Sequence, residues 1–297
     1  MMAMHPGLDV LAQNCALAHA VRPVLKSLAA QDIVPIALKG FALLATQPQR
    51  VATRPMCDVD LLVRCSEVES AIRIIENCGF QRVRSGGLDF MRRQGGLCFR
   101  IDLQHEIWYL SSDELDAWRA RATWLPEASV SIPAPEDHLL YVAVHAVVQH
   151  GALRAQWCED LSALAAQAIR WDLVVAAARR AGLALPLLLA LERAVSEVPP
   201  SAHAALEAAS RPDWRRRLLE AVLARPENPG IGHLLKLAFA RRGRGRLLRQ
   251  QLLPSRALRR QLLGNCKGYG LLRPWRLARS ASATVWRFTT ARKATRT

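Results

Sequence analysis

The sequence predicts an α+β protein in which a head with a mixed sheet is followed by an all-helical C-terminal region. In the first third of the chain, short apolar runs alternate with helical spacing and with glycine pairs. Beyond Pro133 and Pro135, apolar positions recur with a helical period, and proline or glycine separates the segments. We therefore expect an α/β domain with an N-terminal helix at 1–130, a helical domain at 131–250 and a basic segment at 251–297.

The predicted head starts with a helix at 8–30. Its strands are expected at 33–38, 57–63, 80–84, 89–93 and 97–103. Ser66 caps the helix between the second and third strands with Glu69 as its capping-box partner, and Gly79 ends it. Gly95-Gly96 supplies a hairpin turn. Helices are then expected at 136–148, 159–168, 171–181, 185–195, 202–209, 214–223 and 231–240.

Two carboxylates interrupt the apolar run 57–63. Asp58 and Asp60 are two residues apart, so in a strand they point the same way, roughly 6.5 Å from each other. Like charges on one strand face are unfavourable unless a cation neutralises them. An isolated Asp-x-Asp often marks a turn or a solvated edge, but the flanking Val59 and Leu61 favour a buried strand.

A third carboxylate, Asp102, lies in the apolar run 98–103. If this strand pairs with the first acidic one, at a spacing of roughly 4.8 Å, Asp102 completes a site of three carboxylates. Oxygen ligands suit a divalent cation, and Mg²⁺ usually takes one or two carboxylates together with substrate phosphates. The pattern therefore indicates phosphoryl or nucleotidyl transfer.

Lys39 and Gly40 end the first predicted strand and open a loop. Backbone amides beside a glycine can approach a phosphate, and a lysine adds a point charge. A solvent-exposed lysine before a turn glycine is the alternative. Arg54 can pair with a phosphate through two hydrogen bonds or orient Asp58, or it can be a surface arginine.

Three histidines, His138, His145 and His150, fall in one predicted helical region. The first two share a helix face, so a metal or base site can be imagined there. A metal-dependent phosphohydrolase prefers an adjacent His-Asp pair, which the region lacks. Buried, hydrogen-bonded histidines are the favoured interpretation, and Asp160 is interpreted as favourable for the dipole of its helix.

The net charge of +16 arises in the C-terminal part of the chain. After Glu227 there is no acidic residue, whereas 17 of the 41 lysines and arginines follow it, which leaves 24 basic and 25 acidic side chains before that point. Such a block binds an anionic partner, forms a solvated tail or is the basic face of a helical subdomain. An apolar stripe around Trp275 and Trp286 favours docking on the protein itself over an anionic membrane surface.

The cysteines and the apolar runs limit the class of protein. The seven cysteines are odd in number and contain no Cys-x-x-Cys pair, which excludes a disulfide scaffold and zinc sites of that type and indicates reduced thiols in a cytoplasmic protein. No run approaches the roughly 18 uninterrupted apolar residues of a membrane span. The first residues show no cationic region followed by an apolar one, so we expect no signal peptide.

Three segments together resemble the nucleotidyltransferase-family proteins of the DNA polymerase β superfamily. They are Leu38-Lys39-Gly40, the run from Asp58 to Val63 with Arg54 before it, and Ile101-Asp102-Leu103. The Lys-Gly pair, the Asp-x-Asp strand and the later Asp-Leu pair are similar to a poorly characterised bacterial branch. Some members of that branch lie in gene clusters for ribosomal peptide natural products such as lasso peptides.

The resemblance implies a polymerase β-like head and a nucleotidyltransferase that uses Mg²⁺, with two ions. The implied metal-binding and catalytic residues are Asp58, Asp60 and Asp102, and the implied nucleotide-binding residues are Lys39, Gly40 and Arg54. The donor is then a nucleoside triphosphate, and its nucleoside monophosphate is transferred to a hydroxyl acceptor. A small molecule, a peptide, a protein and a nucleic acid all remain open as acceptors.

The chain departs from the family pattern in two ways. The first departure favours a rival prediction, although the three retained carboxylates argue against it. The superfamily usually carries Gly-Ser at the phosphate loop, where this chain has Lys39-Gly40-Phe41, so a hydroxyl that would contact phosphate is missing. The branch often has Asp-Leu-His-Trp after the third carboxylate, whereas Leu103-Gln104-His105 follows Asp102 here, which leaves His105 without an expected role. The rival is a catalytically degenerate accessory protein that binds a peptide or nucleic acid through the basic C-terminal region.

Overall fold

The fold is α+β, as predicted: a mixed sheet with flanking helices is followed by helices alone. The computed structural model describes residues 6–84, 87–210, 214–224 and 231–240, which all belong to the unit Met1–Arg244. The division of the chain at 130 and 250 stays a prediction. The basic segment 251–297, with its apolar stripe, lies outside the described residues.

The described strands form one sheet of seven in the order β3-β4-β5-β2-β1-β7-β6. They are β1 (Ile36–Leu38), β2 (Val59–Leu62), β3 (Gln81–Arg82), β4 (Asp89–Gln94), β5 (Leu97–Gln104), β6 (Thr123–Leu125) and β7 (Val130–Ile132). β2 runs parallel to β5 and antiparallel to β1, and β1 runs parallel to β7. The two predicted acidic strands are therefore neighbours at the centre of a mixed sheet.

The helices of the first part are α1 (Pro6–Ala29), α2 (Lys39–Thr46), α3 (Val68–Asn77) and α4 (Ser112–Arg121). The later helices are α5 (Pro135–Val144), α6 (Ala155–Ala165), α7 (Trp171–Ala181), α8 (Ala184–Ala194), α9 (Pro200–Ala209), α10 (Trp214–Leu223) and α11 (Ile231–Phe239). A π-helical segment, His145–His150, continues directly from α5. The helical prediction for the second half is confirmed within the described residues. None of their helices has the length and apolar character that crossing a bilayer requires.

The head differs from its prediction at three places. Lys39 opens α2 rather than a loop, because its φ of +51° turns the chain from β1 straight into the helix. Ser66 does not cap α3, since a preceding turn is closed by Glu67, whose carboxylate accepts the Arg64 N–H at 2.8 Å. The β6–β7 hairpin was not predicted, because three-residue strands carry too little periodicity to be recognised. α4 was not predicted either, because Trp118 is its only buried residue and it therefore lacks an apolar stripe.

Alternation along β2 and β5 sends their side chains to two faces of the sheet. One face joins the main apolar core with α1 and α3, through Val59, Leu61, Ile101 and Leu103. The alternate positions, Asp60 and Asp102, therefore belong to the other face. On that face a smaller apolar cluster consists of Ile36, Leu38, Leu62, Ile107, Trp118 and Tyr141. The two carboxylates thus lie beside an apolar cover.

Two glycines let the last helices pack against the π-helical segment. Gly151 ends that segment with a φ of +62°, and a Cβ there would meet Val222 of α10 and Ile231 of α11 at 2.8 and 2.6 Å. Gly232 lies against the backbone carbonyl of Gln149 so closely that a Cβ would overlap it. α10 and α11 therefore contact the π-helical segment directly.

Candidate active site

The carboxylates of Asp60 and Asp102 lie at one level of the sheet on adjacent strands. The parallel pairing of β2 with β5 places Asp60 opposite Asp102, and the antiparallel pairing of β1 with β2 places Leu38 opposite Asp60. Asp60 is buried, with 2% of its surface exposed, and Asp102 is partly buried. The strand adjacency on which the three-carboxylate prediction depends is therefore present.

Lys39 brings an ammonium group onto Asp60. The Lys39 Nζ lies 2.6 Å from the Asp60 Oδ1, and the Lys39 side chain is 20% exposed. The left-handed backbone of Lys39 is unusual for a residue other than glycine, and such conformations persist mainly where the surrounding structure enforces them. The turn from β1 into α2 thus delivers a cation to the buried carboxylate.

A pocket of about 420 Å³ opens beside this ion pair. Asp58 lies one residue before β2, is exposed, and lines the pocket together with Asp102. Lys39, Gly40 and Arg54 also line it. The sixth predicted site residue, Asp60, does not itself line the pocket. The structure therefore brings the predicted residues together around one cavity, with Asp60 held by Lys39 at its wall.

Gln104 bridges the two strand carboxylates. Its Nε2 donates to the Asp60 Oδ1 at 3.2 Å and to the Asp102 Oδ2 at 3.3 Å, and its Oε1 accepts from the Tyr141 hydroxyl at 3.2 Å. The sequence analysis gave Gln104 no role. Its position two residues after Asp102 carried the signal, because i and i+2 share a strand face.

Arg54 pairs with Asp160 of α6 rather than facing solvent. Its Nε and Nη2 donate to the two carboxylate oxygens at 2.8 and 2.7 Å, and both residues are buried. A Cβ on Gly40 would collide with the Arg54 guanidinium. The interpretation of Arg54 as a surface arginine is therefore wrong. The Asp160 carboxylate serves this pair, which supports the turn at Gly40.

Asp89 is a further carboxylate of the site that the sequence analysis missed. The antiparallel pairing of β4 with β5 places it opposite Asp102, and it lines the pocket. The register follows from the two-residue turn Gly95-Gly96, whose flanking residues Gln94 and Leu97 pair with each other. Counting five residues outward from that pair reaches Asp89 and Asp102, so the signal was available in the sequence.

A family model described as "uncharacterised nucleotidyltransferase" matches residues 8–196, which include every site residue named so far. This match covers more than half of the chain. The chain belongs to this family. Membership makes it a nucleotidyltransferase in general terms, that is, a transferase of nucleoside monophosphates.

Other comparisons add little to the family assignment of this nucleotidyltransferase. No curated protein matches it in sequence. The solution structure of the antibiotic-resistance factor ANT(2'')-Ia is similar, with 14% identity, a TM-score of 0.43, and coverage of 56% of this chain and 92% of that chain. A likeness this weak says nothing about the substrate of the nucleotidyltransferase described here.

Burial governs the electrostatics of the nucleotidyltransferase site. It raises the pKa of Asp60, against the lowering effect of the Lys39 charge. Burial, followed by the nearby charge of Asp60, raises the pKa of Asp102 to about 7. Ionising both carboxylates at neutral pH is therefore unfavourable until further positive charge reaches them.

The donor set of this nucleotidyltransferase fits a hard divalent cation in its chemistry. Asp58, Asp60 and Asp102 offer the carboxylate oxygens that such an ion prefers. Burial is the main cause of the raised pKa values of Asp60 and Asp102, and the Lys39 charge offsets it only in part. As the side chains stand, no three His, Cys, Asp or Glu residues in the described part converge closely enough to hold a metal. Lys39 and Gln104 hold Asp60, so a cation there requires the Lys39 Nζ to move.

The helical region contributes three aromatic rings to the lining of the pocket, those of His145, His150 and Trp157. We call these three rings the aromatic wall. The ring centroids of His145 and His150 are 4.5 Å apart, and those of His150 and Trp157 are 4.9 Å apart. Burial lowers the pKa of His145 well below its usual range. The burial predicted for the histidines is confirmed for His138 and His145 and is wrong for the exposed His150. The hydrogen bonding predicted with it is incomplete, because the Nε2 of His138 and the Nδ1 of His145 have no partner among the described residues.

Proposed function

We propose that this protein is a Mg²⁺-dependent nucleotidyltransferase that transfers a nucleoside monophosphate from a nucleoside triphosphate to a hydroxyl acceptor. The observation that carries the proposal is the pairing of Asp60 with Asp102 on adjacent parallel strands, with Lys39 against Asp60. Two carboxylates and a movable cation beside one pocket are what a triphosphate and its metal ions require. The family to which the chain belongs supports the transfer reaction in general.

In this proposal Asp58, Asp60 and Asp102 would hold two Mg²⁺ ions. The ions supply charge neutralisation on the donor phosphates and lower the pKa of the acceptor hydroxyl. Lys39, now on Asp60, would bind the entering phosphates, and the Gly40 backbone would lie close to them. Arg54 would contribute through the Gly40 turn, because its guanidinium is already paired with Asp160.

Asp102 is the proposed general base. The acceptor oxygen attacks the α-phosphorus, its proton passes to the Asp102 carboxylate, and the bond from the α-phosphorus to the pyrophosphate breaks. Burial and the charge of Asp60 raise the pKa of Asp102 to about 7 in the free protein. Bound cations would lower that pKa and keep the carboxylate ionised, as a proton acceptor has to be. Gln104 would orient this carboxylate through its bond to the Oδ2.

The acceptor enters on the side of the pocket where Asp102, Asp89 and Arg100 lie. A small molecule, a peptide and a protein all remain candidates for the acceptor. A peptide acceptor is consistent with a role in peptide natural product biosynthesis. The segment proposed to bind an anionic partner lies outside the described residues.

A degenerate accessory protein that binds without catalysis is the second candidate. Two observations favour it: the phosphate-loop hydroxyl is missing, and the described carboxylates do not converge as they stand. Its distinguishing property is that a peptide or nucleic acid would bind while nucleoside triphosphate and Mg²⁺ have no effect on the protein.

Thermal unfolding followed by mass spectrometry tests the proposal. A triphosphate with Mg²⁺ at 100 times its dissociation constant should stabilise the protein by about 2.7 kcal/mol, and Asp60→Asn should abolish the effect. Asp116→Asn is the matched control, because that carboxylate is 63% exposed on α4. Candidate acceptors incubated with each triphosphate should gain the mass of one nucleoside monophosphate. No stabilisation by any triphosphate would favour the accessory protein.

A further inference from the structure

Three cations surround the histidines of the π-helical segment. Lys39 comes from the start of α2, Arg154 precedes α6, and Lys236 lies on α11. After burial, the charges of all three lower the pKa of His150. Within the described part of the chain, Lys39 has Asp60 as a partner, whereas Arg154 and Lys236 form no ion pair with a carboxylate.

Lys236 reaches this place because α11 packs on the π-helical segment. Gly232 lies against the backbone carbonyl of Gln149, and Lys236 is four residues further along the same helix face, about 6 Å along its axis. Lys236 is partly buried, and burial followed by the charge of Lys39 lowers its pKa. A partly buried lysine without a carboxylate partner is unfavourable unless an anion neutralises it.

Arg154 packs on Trp157, one ring of the aromatic wall. Its guanidinium lies 5.1 Å from the ring centroid of Trp157, which in turn lies 4.9 Å from His150. Behind these rings, the Nδ1 of His145 is buried without a hydrogen-bond partner in the described residues. Buried polar atoms are nearly always paired, so this one is explained most simply by a ligand that enters the pocket.

We propose that His150, Arg154 and Lys236 form an oligophosphate site that binds the β- and γ-phosphates of the donor, the portion that leaves as pyrophosphate. This inference depends on the proposed function for the identity of the donor. Lys39 pairs with Asp60 and lines the same pocket as His150 and Trp157, so one triphosphate can contact both places. A cluster of cations suits a ligand that carries several negative charges, rather than a single carboxylate. Lys236 lies beyond the family match at 8–196, so donor binding would extend into α11.

Inorganic pyrophosphate without divalent cation is the probe, and isothermal titration calorimetry measures its dissociation constant. Lys236→Gln and Arg154→Gln should each raise that constant about tenfold or more, since each removes a charged hydrogen-bond donor. Arg154 is exposed, so its variant keeps the test valid if Lys236→Gln fails to fold. Lys26→Gln is the control, because it removes one exposed lysine of α1 and should leave binding unchanged. Absence of binding to the wild-type protein, or equal binding by all variants, would overturn the site.

Competition separates this inference from the proposed function. Pyrophosphate should compete with a triphosphate and Mg²⁺ in the wild-type protein. If pyrophosphate and the triphosphate bind at the same time, the cations at the aromatic wall bind an anionic acceptor instead. The assignment of this site to the donor is then overturned. If Asp60→Asn loses triphosphate binding while Lys236→Gln and Arg154→Gln keep it, the proposed function stands and the oligophosphate site falls. If Lys236→Gln weakens pyrophosphate binding but Asp60→Asn changes the binding of no triphosphate, the anion site is supported and the nucleotidyltransferase proposal is contradicted.

Discussion

The Lys39 ammonium lies 2.6 Å from the Asp60 carboxylate, so in the free protein the chain itself supplies the cation that this buried carboxylate needs. The arrangement is specific: Lys39 adopts a left-handed backbone at the end of β1, and Leu38 pairs with Asp60 across the sheet. In the proposed function the same ammonium would bind phosphate once a metal ion takes its place on Asp60. Lys39 would then link donor binding to metal binding at Asp60.

Asp60→Asn should lower turnover about a hundredfold or more while the protein stays folded. The amide keeps the shape of the carboxylate but loses the charge that would bind metal. The change in unfolding free energy should remain within about 1 kcal/mol, because Lys39 is 20% exposed and can turn to water. Steady-state kinetics and urea unfolding measure the two quantities. Near-normal turnover in this variant would place the chemistry elsewhere.

Asp102→Ala should affect chemistry more than donor binding. In the proposed function the triphosphate is held through Asp58, Asp60 and Lys39, whereas Asp102 serves the acceptor. The dissociation constant of the triphosphate should change little while kcat falls by about two orders of magnitude or more. Calorimetry of donor binding and single-turnover kinetics check this. An equal loss of both would assign Asp102 to the donor side.

Removing Arg54 should destabilise the protein, because the buried Asp160 carboxylate then loses its hydrogen-bonded cation. Arg54→Ala is expected to cost about 3–5 kcal/mol, because Asp160 remains buried without its bidentate partner. The double variant Arg54→Met with Asp160→Leu should cost less than the single change. Arg64→Ala, which breaks an exposed pair with Asp116, should cost no more than about 1 kcal/mol. Additive costs in a double-mutant cycle would show that the buried pair is not coupled.

His138 should make stability fall on acidification. Burial lowers its pKa to about 4, below the usual 6.5, so the unfolded state binds the proton more tightly. The stabilisation is complete above about pH 6.5 and is lost as the pH falls towards 4, with a size on the order of 3 kcal/mol. His138→Gln should flatten this dependence in chemical unfolding across that range. His203→Gln, at a side chain 40% exposed, should preserve it. Identical slopes in all three proteins would contradict the buried neutral histidine.

The carboxylates were predictable because strand alternation is a local rule. Acidic residues inside apolar runs identified Asp58, Asp60 and Asp102, and the pairing of β2 with β5 confirmed that the strands of Asp60 and Asp102 are neighbours. Asp58 lies one residue before β2. The same rule, applied to the register of the β4–β5 hairpin, would have identified Asp89. Their roles in metal binding and catalysis stay predictions.

Other features had no local signal. The partners Arg54 and Asp160 are 106 residues apart, and no spacing rule connects them. Lys39 begins a helix with a positive φ, a conformation that sequence patterns associate with glycine, so the segment resembled a loop. The approach of Lys236 to His150 depends on how α11 packs, which the helical period of α11 does not specify.

Release of pyrophosphate from a γ-labelled nucleoside triphosphate tests the central claim most directly. The wild-type protein, Mg²⁺ and a protein-free cell extract as the source of acceptors should yield labelled pyrophosphate, and Asp60→Asn should yield none. Asp116→Asn should behave as the wild-type protein does. Labelled orthophosphate in place of pyrophosphate, or equal pyrophosphate release by Asp60→Asn, would contradict nucleotidyl transfer at the Asp60–Asp102 pair.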